Sequence, residues 1–269
     1  MPYAGDNDLY YEDSGHGPAL VFIPGFGGVG SFWQRQVEFF SRSHRVIAID
    51  QRGAGASART RGAYSIGQMT DDVRSVMDHA GIDVATLVGH STGGAIAQTL
   101  AVEQPTRVAA LVLSSTWCAP GNYFRRVFEF RRSLLELGAT ELFHKAGVFF
   151  RYPPDYAEAH DASFDGGGAV DIDITIARID AILNADMSAI SPRVAAPTLV
   201  LAARDDTLIP QYMSDELAER IPGADYIVLD RGGHFLPETR GEDYNAALAG
   251  FFRQLSGATQ RPATQELAR

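Results

Sequence analysis

Lysine, cysteine and long apolar runs are what this chain of 269 residues has least of. Of its 23 basic residues only Lys145 is a lysine, so an organic anion that binds here meets the planar, two-pronged donor of arginine. Cys118 is the single cysteine, which excludes an intrachain disulfide and a zinc site built from thiolates, and points to a cytoplasmic protein. No stretch approaches the roughly 18 consecutive apolar residues of a membrane span. The N-terminal Met-Pro-Tyr-Ala-Gly-Asp has no basic start followed by an apolar run, so no export signal is expected either. The 33 acidic residues outnumber the basic ones to give a formal charge of −10, which repels a phosphate backbone and offers an anionic membrane no basic patch. Nucleic acid and membrane are therefore not expected partners; a small-molecule substrate is, and self-association as a homo-oligomer is left open. His-Glu-x-x-His is missing and no His, Cys and Asp group has ligand spacing, so no metal or other cofactor is expected.

What is present is the composition of a soluble globular protein, 45% hydrophobic and 21% charged. At this length an α/β fold forms one core carrying an insertion more readily than two domains. Asn7 to Glu12 reads as a short edge strand. Ala19 to Ile23 is a continuous apolar run stopped by Pro24-Gly25, the pattern of a strand buried on both faces. The spacing of Phe32, Trp33, Val37 and Phe40 predicts a helix over 31–42 with Ser31 as its cap, and His44 to Asp50 predicts the next strand. A helix capped by Ser65 follows through about Ala80, then a strand at Val84 to Val88, a helix at Gly93 to Glu103 and a strand at Val108 to Leu113. Strand and helix in alternation imply an α/β fold: a mostly parallel central sheet with helices on both faces. Between Trp117 and Ile190 the alternation breaks, and 122–137, 140–150 and 173–184 read as helices without a central strand. Strands at Thr198 to Ala202 and Tyr226 to Leu229, a helix near Ser214 to Ile221 and a last helix through about Leu255 then resume the pattern. The expected organisation is a core from 1–116 and 191–256, a helical cap insertion over 117–190 and a frayed polar tail at 257–269. The insertion holds 11 of the 27 aromatic residues, and Trp117, Phe128 and Phe150 are taken from them as candidate substrate-binding residues. Packing the insertion onto the core is the more ordinary role for most such aromatics.

Chemistry concentrates at Gly89-His90-Ser91-Thr92-Gly93, a Gly-x-Ser-x-Gly set directly after an apolar strand and before a helix-forming run, the context a nucleophile elbow requires. The turn is so tight that small residues are needed on both sides, and Gly89, Gly93 and Gly94 supply them. A serine hydroxyl is a weak nucleophile and needs a base oriented by a third group. His234, in a loop after the last strand, is the candidate base. His16, His44, His79, His144 and His160 read as surface or helix-end residues, and His90 as packing beneath the elbow. The orienting acid belongs at the end of an intervening strand, where Asp205 and Asp206 stand side by side and only one can face the imidazole. The oxyanion hole needs two backbone N–H groups: Thr92 supplies one by following the nucleophile, and Phe26, in the glycine-rich loop Pro24-Gly25-Phe26-Gly27-Gly28, supplies the other.

With these stretches in place the sequence resembles the α/β-hydrolase superfamily over nearly its whole length. Within it the chain looks most similar to the aminoacrylate hydrolases of pyrimidine utilisation and the 3-oxoadipate enol-lactonases, through Ser31-Phe32-Trp33, Asp50-Gln51-Arg52-Gly53, Tyr64-Ser65-Ile66, Arg131-Arg132-Ser133-Leu134-Leu135 and Tyr152-Pro153-Pro154-Asp155. Pro24 departs from the pattern, standing where many members carry His. The resemblance implies an α/β-hydrolase fold and selects Asp206 as the acid, because the family's acid comes three residues after the small residue that ends the strand, here Ala203. Asp205 is left a capping or solvated role. The implied activity is a cofactor-free serine hydrolase that cleaves a small carboxylic ester, lactone or related acyl or enamine substrate through an acyl-enzyme on Ser91, with Asp206 and His234. Carbon–carbon bond hydrolases and perhydrolases use the same triad, and a ligand-binding protein of this fold would keep the pocket with negligible turnover. The enol-lactonase likeness also makes an arginine such as Arg125, Arg126, Arg131 or Arg132 a candidate for a substrate carboxylate, against the more ordinary reading of a solvated helix face.

Overall fold

The computed structural model describes residues 3–5, 8–164 and 170–259. Two short strands, β1 (Tyr3–Ala4) and β2 (Leu9–Gly15), lead into β3 (Ala19–Ile23), α1 (Gln34–Phe40), β4 (Arg45–Ile49), α2 (Ile66–His79), β5 (Ala85–His90), α3 (Thr92–Glu103) and β6 (Val108–Ser114). Four helices follow, α4 (Asn122–Glu136), α5 (Thr140–Arg151), α6 (Pro154–Ala159) and α7 (Ile172–Leu183). The sheet then resumes with β7 (Thr198–Ala203), α8 (Gln211–Arg220) and β8 (Asp225–Leu229), and α9 (Leu236–Thr239) and α10 (Gly241–Thr259) close the described chain. The strands form one sheet in the order β1-β2-β4-β3-β5-β6-β7-β8, antiparallel at β1-β2 and β2-β4 and parallel in every pairing from β4-β3 to β7-β8.

Side chains alternate across this sheet with the two-residue period of a strand. Leu20 and Phe22 of β3, Ala110 and Val112 of β6, and Leu199, Leu201 and Ala203 of β7 face one core with Trp33, Phe40, Tyr244 and Leu248. Val21 and Ile23, Leu111 and Leu113, and Val200 face the opposite core, shared with α2, α3 and parts of α4 and α7. Both faces are covered, which is why the central strands read as unbroken apolar runs.

Ser65 caps α2 by accepting the Gln68 N–H at 3.1 Å. Ser31 is not a cap: it lies inside a 3₁₀ turn, Gly30–Trp33, that precedes α1, and Asp50 Oδ1 takes the Gly30 N–H at 2.7 Å instead. The edge strand expected from Asn7 begins at Leu9 and runs on to Gly15, paired with β4; Asn7 itself lies outside the described residues. Between β6 and β7 no strand occurs among the described residues. No helix among them is long and apolar enough to cross a membrane.

Candidate active site

The last residue of β5 is His90 and the first of α3 is Thr92, so the chain turns from strand to helix at Ser91 alone. Ser91 makes that turn at φ 53°, ψ −119°, a region that costs a residue with a side chain on the order of 1–3 kcal/mol and persists where its surroundings force it. Here they do. The Ser91 N–H donates to the Ser114 carbonyl at 2.9 Å, and the Ser91 carbonyl accepts from Gly94 N–H at 2.8 Å and Thr116 Oγ1 at 2.7 Å. Gly93 is obligatory for space, since a methyl group there would lie 2.1 Å from the Ile23 carbonyl oxygen at the end of β3. Thr92 opens α3, where N–H groups have no partner inside the helix and the positive end of the helix dipole faces outward.

His234 and Asp206 come from loops at the ends of β8 and β7. His234 Nδ1 and Asp206 Oδ2 are 2.9 Å apart, with both residues almost wholly buried. The second oxygen, Asp206 Oδ1, accepts the N–H groups of Leu208 and Ile209 at 2.9 and 2.8 Å, which fixes the carboxylate in one orientation. Asp205 points elsewhere: its Oδ1 accepts the Gly233 N–H at 2.8 Å, so the neighbouring acid ties the backbone of the histidine loop to the end of β7. On the other side the Phe235 N–H donates to the Arg151 carbonyl at the end of α5 at 3.0 Å. Gly233 adopts φ 60°, and a methyl group there would meet that same carbonyl at 2.9 Å.

His90 does more than pack beneath the elbow. Its ring lies 4.7 Å from the ring of His234, centroid to centroid, and Phe32 and Phe235 enclose the pair. Burial first, and the adjacent His234 second, hold the His90 pKa well below the ordinary histidine value, so His90 stays neutral. The Pro24–Gly28 loop reaches this assembly directly: a methyl group on Gly25 would lie 3.1 Å from Ser91 Cβ and 3.4 Å from His90 Cδ2. Two residues that the sequence left without a role hold the loop. Gln51 Nε2 donates to the Pro24 carbonyl at 2.7 Å, and Asp50 accepts the Gly30 and Ala56 N–H groups at 2.7 and 2.8 Å.

A cavity of about 430 Å³ is lined by Gly25, Phe26, His90 and His234, and Ser91 lies directly beside Gly25 in this lining. Its apolar wall is Phe26, Phe32, Phe143 and Phe235. The structure does not bring Trp117, Phe128 and Phe150 to that wall. Trp117 is fully buried with its ring on Phe124 and its Nε1–H on the Ala185 carbonyl, Phe128 is 1% exposed between Phe26 and Phe124, and Phe150 packs against the core. The apolar stripes of α4 and α5 turn toward the core, as amphipathic helices do, and apart from Phe143 the aromatic wall comes from segments outside these helices. Four arginines, Arg59, Arg131, Arg151 and Arg178, also line the cavity, against one carboxylate among the described residues, Asp171. Arg131 is the unusual one. It is 7% exposed, no carboxylate pairs with it among the described residues, its Nε lacks a partner, and its guanidinium lies over Phe26, Phe128 and Phe143. Burial, with the nearby charge of Arg151 second, pushes its pKa down to about 9. Arg178 was legible as a lone base in the apolar run Ile-Asp-Ile-Thr-Ile-Ala-Arg-Ile, though not as a cavity residue. A larger open groove along α5 and α6 reaches Asp205 and Thr207, but the loop carrying Phe26 and the His234 ring face only the smaller cavity. Among the described residues no group of three or more His, Cys, Asp or Glu side chains is placed to share a metal ion.

Residues 18–147 and 139–240 match the family described as alpha/beta hydrolase fold. The chain is 36% identical over 259 residues to a putative carbamate hydrolase RutD of Azorhizobium caulinodans, covering 93% of this chain and 98% of that one. It is 34% identical over 255 residues to the protein of the same name from a Caulobacter species, covering 90% and 95%. Among solved structures, the enol-lactonase from Burkholderia xenovorans superposes with a TM-score of 0.85 at 26% identity, over 93% of this chain and 98% of that one. The parallel sheet, the strand-to-helix turn at Ser91 and these matches across the length of the sequence lead to one conclusion: the chain belongs to the α/β-hydrolase fold family.

Proposed function

We propose that the protein is a cofactor-free serine hydrolase that cleaves a small carboxylic ester, lactone or related acyl or enamine substrate. The observation that carries this reading is the buried Asp206–His234 pair, with His234 lining a cavity whose Gly25 packs beside Ser91. With Asp206 holding the proton on Nδ1, His234 presents Nε2 as the base. Ser91 Oγ attacks the acyl carbon as Nε2 takes its proton, and the carbonyl electron pair moves onto oxygen, where the Phe26 and Thr92 N–H groups stabilise it. Collapse expels the leaving alcohol or amine, which takes the proton from His234 and leaves the acyl group on Ser91. Water then gives up a proton to His234 and attacks the same carbon, and as the bond to Ser91 Oγ breaks His234 passes that proton to Oγ, releasing the acid and restoring the free serine.

The cavity volume of about 430 Å³ supports small substrates over peptides. Similarity to proteins named carbamate hydrolases adds carbamates to the candidates, and likeness to an enol-lactonase keeps lactones among them. Of the cap arginines considered from the sequence, Arg131 is the one that faces the cavity, and its unpaired charge favours an acyl donor bearing a carboxylate. Turnover of 4-nitrophenyl acetate and labelling by a fluorophosphonate test the mechanism. Ser91→Ala is expected to lose labelling and about 10⁶ in kcat while still folding. Retention of more than a tenth of the activity by that variant would overturn the serine mechanism.

A further inference from the structure

The outer face of α4 and α5 is apolar and uncovered. On α4 the residues at seven-residue spacing, Tyr123, Phe130 and Leu137 just past its end, are exposed, Leu137 by 81%. On α5 the same spacing exposes Leu142 and Phe149, the latter by 76%. A three-residue link joins the helices, so Leu137 and Leu142 lie at one end of this helical pair. Thr207 marks the other end: its carbonyl accepts from Tyr123 Oη at 2.7 Å and its hydroxyl donates to the Phe149 carbonyl at 3.3 Å. The five side chains therefore form one continuous face, with Phe130 midway. Their fractional exposures leave roughly 600 Å² open per copy, at the upper end of what a monomer's largest apolar patch ordinarily reaches.

We propose that this face is the interface of a homodimer, formed by antiparallel packing of α4 on its counterpart about a two-fold axis at Phe130. The area fits: covering the whole face on both copies buries up to roughly 1,200 Å², at the lower end of specific interfaces. The charges fit as well. A two-fold at residue 130 sets Tyr123 opposite Leu137 of the second copy, and brings Arg126 within side-chain reach of its Glu136. Arg126 has no ion pair among the described residues, and Glu136 is bound only to Arg132 on its own helix surface. Other occupants fit less well. Residues 165–169 and 260–269, outside the described structure, carry only Leu267 as a large apolar residue, too little to cover the face. A lipid surface would call for a predominantly basic margin, whereas exposed Glu129, Glu136 and Glu141 here alternate with Arg125, Arg126 and Lys145 in a chain of net charge −10.

Sedimentation velocity on the full chain between 1 and 100 µM tests the proposal, since interfaces of this size hold at micromolar affinity or better. A dimer of twice 29.1 kDa is expected. Phe130→Glu is expected to weaken it at least 30-fold, because a central anchor is replaced by a charge. Arg126→Glu should weaken dimerisation by setting like charges opposite each other, and adding Glu136→Arg should restore it. A monomer at 100 µM, an undiminished dimer in Phe130→Glu, or failure of the charge exchange to restore association would overturn the proposal. So would binding of the monomer to phosphatidylcholine vesicles that Phe130→Glu abolishes.

Discussion

Replacing Asp206 by Asn tests the site most sharply, because the structure dictates how the new amide must sit. Asp206 Oδ1 accepts two backbone N–H groups, from Leu208 and Ile209, at 2.9 and 2.8 Å. An amide NH₂ turned toward them would set donor against donor in a buried place, so the Asn oxygen must take the Oδ1 position. Its NH₂ then faces His234 Nδ1 at the 2.9 Å now spanned by Asp206 Oδ2, and that nitrogen has to accept. The remaining ring proton moves to Nε2, which can no longer receive the serine proton. The same tautomer error in a serine protease lowers kcat by about 10⁴, equivalent to about 5.5 kcal/mol of transition-state stabilisation. Asp205→Asn provides the contrast: an amide oxygen can still accept the Gly233 N–H, so the loop holding His234 stays in place and the loss is expected to be under about tenfold. Initial rates with 4-nitrophenyl acetate at pH 8 measure both, with melting curves to show that both fold. A loss below about tenfold for Asp206→Asn, or a larger loss for Asp205→Asn, would refute the reasoning.

Arg131→Met is expected to lower the ratio of kcat/KM for a 4-nitrophenyl hemisuccinate to that for the butyrate ester by about 30-fold or more, through loss of a buried charge partner; an unchanged ratio would remove Arg131 from substrate recognition. The same ratio in the unaltered protein should fall as pH rises above about 9, because Arg131, its pKa lowered there by burial, sheds its proton in the free enzyme. The sign for folding is opposite: between about 9 and the ordinary arginine value the unfolded chain holds more protons, so this group's contribution to stability rises with pH. Arg52→Met should strand the buried carboxylate of Asp72 and cost about 3–5 kcal/mol, seen as a melting temperature lower by roughly 10 °C, and Asp72→Asn in the same chain should recover part of it.

Much of this was legible in the sequence, for local reasons. The runs at Ala19–Ile23, Val108–Leu113 and Thr198–Ala202 read as strands because a sheet buried on both faces leaves no polar position to interrupt them. The turn at Ser91 was readable because Gly89 answers a contact with Gly93 made within the turn itself, although Gly93 and Gly94 answer more distant ones, with Ile23 and Thr116. The short elements β1, α6 and α9 were not foreseen, since none carries a continuous apolar run or a helical period. Ser31 looked like a cap but sits inside a 3₁₀ turn, because the acceptor for Gly30 comes from Asp50 across the sheet. What only the tertiary structure decided is direction. Asp205 and Asp206 are adjacent and chemically identical, and beyond the family resemblance that singled out Asp206 only the loops after β7 and β8 give the physical reason that one meets the Gly233 N–H and the other the His234 ring. The rotation of α4 and α5 likewise turned Phe128 and Phe150 toward the core and set Arg131 and Phe143 against the cavity. A sequence records which side chains a helix carries, but which of them faces a substrate depends on how that helix docks, and docking is fixed by contacts with residues far away in the chain.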